Sequence, residues 1–126
     1  MKKYSILIAD DNQDFAEALK FIILEGHDEF INTVDFAQNG EDCIKRSTDT
    51  LYDLVFMDIR MPIMNGIDAT KHIIEMNRHT KIIAVSFHSE MKYIRQMIEA
   101  GARNYLVKEE ISACVIEKIF NNHLFK

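Results

Sequence analysis

Three stretches of this chain, Ile6–Ala9, Leu54–Met57 and Ile82–Val85, are apolar without a break and then stop at a polar side chain. A strand with one face in water alternates apolar and polar residues, so uninterrupted runs of this length describe strands buried on both faces, as in a parallel sheet covered by helices. A shorter run, Tyr105–Val107, ends at Lys108, and Thr33–Ala37, which contains Asp35, has the mixed character of an edge strand. Parallel neighbours need long crossovers, usually helical. The intervals supply them. Phe15, Leu19, Ile22 and Ile23 fall on one helical face, with Asn12 as a cap and Gly26 as a stop. Gly40–Ser47 predicts a second helix, and Ile67–Met76, opened by Asn65 and Gly66, a third. Ser89 is placed to cap a fourth, carrying Met91, Ile94, Met97 and Ile98 and ended by Gly101. Ile111, Val115, Ile116, Ile119 and Phe120 mark the fifth. Right-handed crossovers then give an open, doubly wound α/β sheet of five parallel strands in the order 2-1-3-4-5.

In such sheets ligands bind outside the carboxyl ends of the strands. The polar residues that end the runs are therefore the candidate site: Asp10 and Asp11 after the first strand, Asp58 after the third, Ser86 after the fourth and Lys108 after the fifth. Taken singly each has a plainer role. Asp10, Asp11 and Asn12 also suit the positive end of the first helix. Taken together they make one reaction chemistry. Two carboxylates about 4 Å apart repel by about 4 kcal/mol at an effective dielectric near 20, and a divalent cation relieves that repulsion. All-oxygen ligands favour Mg²⁺, Mn²⁺ or Ca²⁺ over Zn²⁺; Mg²⁺ keeps several waters and needs few carboxylates, and is the expected ion. With the acids screened, Asp58 is free to act as a nucleophile towards a phosphoryl group, and Lys108 to pair with its oxygens.

The remaining composition mostly excludes. At 126 residues and 48% hydrophobic content, the chain is expected to form a single domain, residues 1–126, burying roughly two thirds of its unfolded surface. Cys43 and Cys114 are expected to be reduced core thiols, since neither has the neighbours of a zinc motif. The five histidines show no metal-site spacing. A net charge of −5 with scattered basic residues argues against nucleic acid binding by this domain. No apolar run reaches the ~18 residues of a membrane span, and Met1, Lys2 and Lys3 lead straight into a strand, so the cytoplasm is the expected compartment.

The motifs Ile6-Leu7-Ile8-Ala9-Asp10-Asp11, Asp58-Ile59-Arg60-Met61-Pro62-Ile63-Met64-Asn65-Gly66, Ala84-Val85-Ser86, and Ala100-Gly101-Ala102 leading to Tyr105-Leu106-Val107-Lys108, closely resemble those of the receiver domain of a two-component response regulator, over nearly the whole chain. That resemblance implies a flavodoxin-like, CheY-like fold. It also implies roles for particular residues. Asp58 is the implied phospho-acceptor, Asp11 a direct Mg²⁺ ligand, Asp10 a ligand through water and the Arg60 backbone carbonyl a further one. Ser86 is the implied switch hydroxyl and Tyr105 the switch aromatic. The phosphoryl group is expected from a histidine kinase, a phosphotransfer protein or a small phosphodonor, with the chain catalysing only its own phosphorylation and dephosphorylation. The output surface implied is the face of the fourth helix, fifth strand and fifth helix. An output domain, a partner protein or a phosphorylation-dependent homodimer are its expected occupants.

Two positions depart from the family pattern. Phe87 stands after Ser86 where receivers usually have a small residue, and is expected to narrow access to Asp58; Glu109 stands where proline often follows the lysine, so an ordinary trans peptide is expected there. Other chemistries fit less well. A phosphatase with an aspartyl-phosphate intermediate needs D-x-D after its first strand, whereas Asp10-Asp11-Asn12-Gln13 stands here. A flavin binder's first loop must cradle phosphate, which Asp10, Asp11 and Asp14 would repel, and the lack of G-x-G-x-x-G after the first strand removes dinucleotide binding. A phosphorylation-independent scaffold is the alternative class. For output, the chain reads equally as a stand-alone receiver or as the receiver half of a helix-turn-helix transcriptional regulator.

Overall fold

The computed structural model describes residues 2–125; Met1, part of the argument against a leader, lies outside them. Strands β1 (Tyr4–Ala9), β2 (Ile31–Ala37), β3 (Leu54–Asp58), β4 (Lys81–Ser86) and β5 (Asn104–Val107) form one parallel sheet in the order β2-β1-β3-β4-β5. Helices α1 (Gln13–Leu24), α2 (Gly40–Asp49), α3 (Gly66–Met76), α4 (Ile94–Ala100) and α5 (Ala113–His123) connect and cover it. Period-two side chains on doubly buried strands explain the two cores. Ile6, Ile8, Leu54, Phe56, Ile83, Val85 and Leu106 pack under α1 and α5 with Leu19, Ile116 and Phe120. Leu7, Ala9, Val55, Met57, Ile82 and Ala84 pack on the other side with Cys43, Ile73 and Met97. Each fully buried large apolar side chain contributes about 1.5–3 kcal/mol before chain entropy is counted.

The helix starts follow from local polar chemistry. Asn12, Asn39 and Asn65 each accept a hydrogen bond from the backbone N–H three residues on, at 3.1, 2.8 and 2.9 Å, and Ser112 does the same for α5 at 3.3 Å. Gly26 and Gly101 take the positive φ that lets the chain leave α1 and α4. One expected cap fails. Ser89 does not open a helix; it lies inside a 3₁₀ segment, His88–Tyr93, and α4 is only the seven residues after it. Two carboxylates hold the backbone just before that segment: Glu90 accepts from the Phe87 N–H at 3.1 Å and Glu109 from the His88 N–H at 2.8 Å. The fourth helix's apolar stripe is correspondingly split, with Met97 buried and Ile98 exposed. Cys43 is a core thiol as expected, with burial pushing its pKa up to about 12, whereas Cys114 is exposed, on the outer side of α5. Ile111 precedes α5 rather than belonging to it.

The β3–α3 loop contains the one positive-φ residue other than glycine among those described, Ile63, at φ 69° with its side chain 77% exposed. A β-branched residue in this region is strained by about 1–2 kcal/mol, and its exposed side chain gives little packing in return. Ile63→Asn, which tolerates the conformation, is expected to stabilise the protein by about 1 kcal/mol in urea unfolding; an unchanged or lower midpoint would contradict the strain.

Candidate functional site

Register places the strand ends in one row. Ala9 pairs with Met57, Asp58 with Val85, and Ser86 with Val107, so Asp10, Asp58, Ser86 and Lys108 arrive together at the carboxyl edge of the central strands. Asp10 and Asp58 are buried, Ser86 is fully so, and Asp11 is exposed at the mouth. Their carboxylates converge: Asp10, Asp11 and Asp58 each offer an oxygen within 4.8 Å of the others, the one such cluster among the described residues. Lys108 projects between the two buried acids, its Nζ 2.7 Å from Asp10 Oδ2 and 3.6 Å from Asp58 Oδ1. The Lys108–Glu109 peptide is trans, and the lysine is aimed without help from a proline.

Backbone donors fix the carboxylates. The Asn12 N–H donates to Asp10 Oδ1 and the Ile59 N–H to Asp58 Oδ1, both at 2.9 Å. Asp58 is nevertheless crowded: burial and the neighbouring Asp10 charge push its pKa up to about 8, with Glu90 adding to the rise, while Lys108 and the Ile59 N–H pull it down. The loop after Asp58 is closed by a Gly66 N–H bond to the Ile59 carbonyl at 2.8 Å, and a Cβ on Gly66 would overlap the carbonyl oxygen of Asp58 itself. Only glycine lets α3 start this close to the backbone carbonyl of Asp58.

The donor set fits a hard divalent cation. It is all oxygen, doubly buried, over-supplied with negative charge, and spread over a distance that Mg–O bonds of ~2.1 Å span with small side-chain rotations or through a water. Arg60 lies two residues past Asp58 with an exposed side chain. The Ser86 Oγ, pointing into the interior, contacts the Met91 Sδ at 3.7 Å. Tyr105 is 43% exposed, its ring turned outward on edge strand β5.

Some of the site was not legible beforehand. Phe15, read as a core position of α1, also lies with its ring centroid 4.6 Å from Lys108 Nζ, and Phe87 covers the same atom at 4.7 Å. Glu90 and Glu109, which tie down the Phe87–His88 backbone, were likewise missed. A usable signal existed for Phe15: a first-turn residue of the helix that starts at the carboxyl edge necessarily sits beside that edge.

An open parallel sheet carrying an acid cage and one buried lysine at its carboxyl edge defines a flavodoxin-like α/β protein with a carboxylate cluster and an ammonium side by side. The chain belongs to the response regulator receiver domain family, whose model matches residues 6–120. It is 33% identical over 117 residues to the transcriptional regulatory protein DegU of Brevibacillus brevis, covering 93% of this chain and 49% of that one. It is 34% identical over 114 residues to the chemotaxis protein CheY of Thermotoga maritima, covering 90% and 92%. A two-component response regulator structure from Clostridium difficile superposes with a TM-score of 0.82 at 25% identity, covering 94% of each chain. The chain thus spans about half the length of the first relative and most of the second.

Two carboxylates sharing a buried edge cost stability when no cation is present. Asp58→Asn, which keeps the shape and removes the charge while Lys108 keeps Asp10, is expected to stabilise the cation-free protein by about 1 kcal/mol, raising the thermal midpoint by about 3–5 °C. Melts in chelator followed by circular dichroism would show it, and a fall in midpoint would mean that the Lys108–Asp58 attraction outweighs the crowding.

Proposed function

We propose that this domain, residues 1–126, accepts a phosphoryl group on Asp58 from a histidine kinase, a phosphotransfer protein or a small phosphodonor, and that the aspartyl phosphate switches its output surface. The observation that carries the reading is the convergence of Asp10, Asp11, Asp58 and Lys108 on one pocket edge. Asp58 Oδ1 is held by the Ile59 N–H and faces Lys108, which leaves Oδ2 as the attacking oxygen. It forms the new bond to phosphorus as the bond from phosphorus to the donor's nitrogen or oxygen breaks. Asp11 and Asp58 directly, Asp10 through water and the Arg60 carbonyl would hold Mg²⁺, which would supply charge neutralisation between the acids and the phosphoryl group. Lys108 pairs with a phosphoryl oxygen, a preset positive charge where negative charge arrives. Hydrolysis returns Asp58 to its starting state, so the protein's catalysis is confined to its own phosphorylation and dephosphorylation.

The new group adds about −1.5 to −2 of charge at a fixed point. Ser86 leaves Met91 to hydrogen-bond it, and Tyr105, now outward, turns into the space released. Ile98 and Tyr105, both exposed, then change the face of α4, β5 and α5 that an output domain, a partner protein or a second copy reads. The half-length match to a transcriptional regulator and the full-length match to CheY support an attached and a stand-alone output equally.

With Mg²⁺ and a radiolabelled acyl phosphodonor, the protein is expected to take up label that Asp58→Asn abolishes; label surviving that substitution would sink the assignment. Beryllofluoride with Mg²⁺ should also shift the amide resonances of Ser86, Tyr105 and α4. An unmoved spectrum would favour a phosphorylation-independent scaffold. Phe87, 42% exposed and lying over Lys108, narrows the approach to Asp58. Phe87→Ala is expected to speed labelling by a small donor or loss of the label, by about three- to tenfold; both rates unchanged would remove the ring from any gating role.

A further inference from the structure

The Lys108 ammonium has an unusual setting. Its side chain is 4% exposed, and besides the two carboxylates it is bracketed by the faces of Phe15 and Phe87 at 4.6 and 4.7 Å. Among the described residues it is the one lysine over two rings; Lys2, Lys20 and Lys92 each lie over one. A ring face attracts a cation most strongly where water is excluded, and two faces also fix its direction. Both rings are themselves held. Phe15 is the third residue of α1, its N–H bonded to the Asn12 cap at 3.1 Å and its side chain packed on the core beneath α1 and α5. Phe87 hangs from a backbone tied by Glu90 at 3.1 Å and, through His88, by Glu109 at 2.8 Å, with His88 Nε2 also 2.8 Å from Glu110. Glu109 and Glu110 directly follow Lys108, so the segment that delivers the lysine also anchors the ring that covers it.

We infer that Phe15 and Phe87 form an aromatic clamp that positions Lys108 for the phosphoryl group, making Phe15 a positioning residue of the reaction proposed for Asp58, on which reading its kinetic role depends. Without the clamp the ammonium, closer to Asp10 than to Asp58, follows Asp10 and meets the incoming phosphoryl oxygens late. Phe87 also covers the mouth, so substituting it mixes access with positioning. Phe15, set in the first turn of α1, isolates the second effect.

Two measurements on the full chain test this. In the unmodified protein, with no phosphodonor, the Lys108 εCH₂ signal, assigned through Lys108→Arg, is expected furthest upfield of the lysines, because two ring currents shield it. It should move downfield in Phe15→Leu, which keeps bulk and loses the ring face, and stay in Phe15→Tyr. With Mg²⁺ and a small acyl phosphodonor, Phe15→Leu is expected to lower the maximal labelling rate about fivefold while leaving the half-saturating donor concentration unchanged, and Phe15→Tyr to restore the rate. A Lys108 signal among those of the other lysines, or a Phe15→Leu rate equal to the unsubstituted one, overturns the clamp. Because the resonance is read without any donor, failure of the clamp and failure of Asp58 as acceptor appear in different experiments.

Discussion

The Lys108 ammonium, 2.7 Å from one buried carboxylate and 3.6 Å from another, is the contact on which this carboxyl edge depends. Three acids meet one base there, and removing a buried partner from such an arrangement typically costs 3–5 kcal/mol because the remaining charge is left uncompensated. Yet the lysine alone cannot settle the edge, since Asp58 is still pushed up to about 8 by burial and by Asp10. The edge is assembled by the sheet and left electrostatically unfinished. That deficit would favour a cation, and it persists because Asp58 ends a central strand, where the surroundings are dry.

Backbone geometry holds this unfavourable cluster in place. Asp10 follows β1 and Asp58 ends β3, strands that pair in fixed register, and each carboxylate accepts from a backbone N–H that cannot move independently of the strand end. Gly66 lets α3 begin against the Asp58 carbonyl, and its N–H closes the loop on Ile59. The two apolar layers supply the stabilisation that offsets the cluster's cost. Fold and site are therefore one problem: shifting a central strand by one residue would turn its apolar side chains to the wrong layer and carry the acids out of reach of each other.

What could be read from the residues, and what could not, divides along the same physics. Uninterrupted runs such as Leu54–Met57 and the polar residues ending them are local patterns with one structural meaning, so strand order and the convergence of Asp10, Asp58 and Lys108 were both legible. The helix starts at Asn12 and Asn65 were legible too, whereas the Asn39 cap of α2 was missed. Ser89 failed as a cap because the neighbouring backbone is held by Glu90 from nearby and by Glu109 from 21 residues away, and a long-range acceptor leaves no local trace. Cys114 was misplaced although periodicity was enough to place it: it lies opposite the stripe of Val115, Ile116, Ile119 and Phe120 that faces the sheet. Phe15 was legible as apolar but not as a neighbour of Lys108, since a ring that packs on a core and a ring that packs on a cation have the same spacing in the chain.

For the switch proposed for Ser86 and Tyr105, the resting contacts bear on how far it could travel. Carrying a two-state equilibrium from 1:99 to 99:1 takes about 5.5 kcal/mol of differential stabilisation. A hydroxyl exchanging a weak thioether acceptor for a phosphoryl oxygen gains about 1.5–3 kcal/mol as a hydrogen bond to a charged group. That alone falls short. Part of the remainder can come from the outward ring of Tyr105: at 43% exposure it has about half of the ~1.5–3 kcal/mol of a full burial left to gain. The two together still fall short of about 5.5 kcal/mol, so the rest has to come from the backbone around them. The short α4 and the six-residue 3₁₀ segment before it are the elements able to yield, since 3₁₀ runs beyond three or four residues are uncommon and their hydrogen-bond geometry is poor.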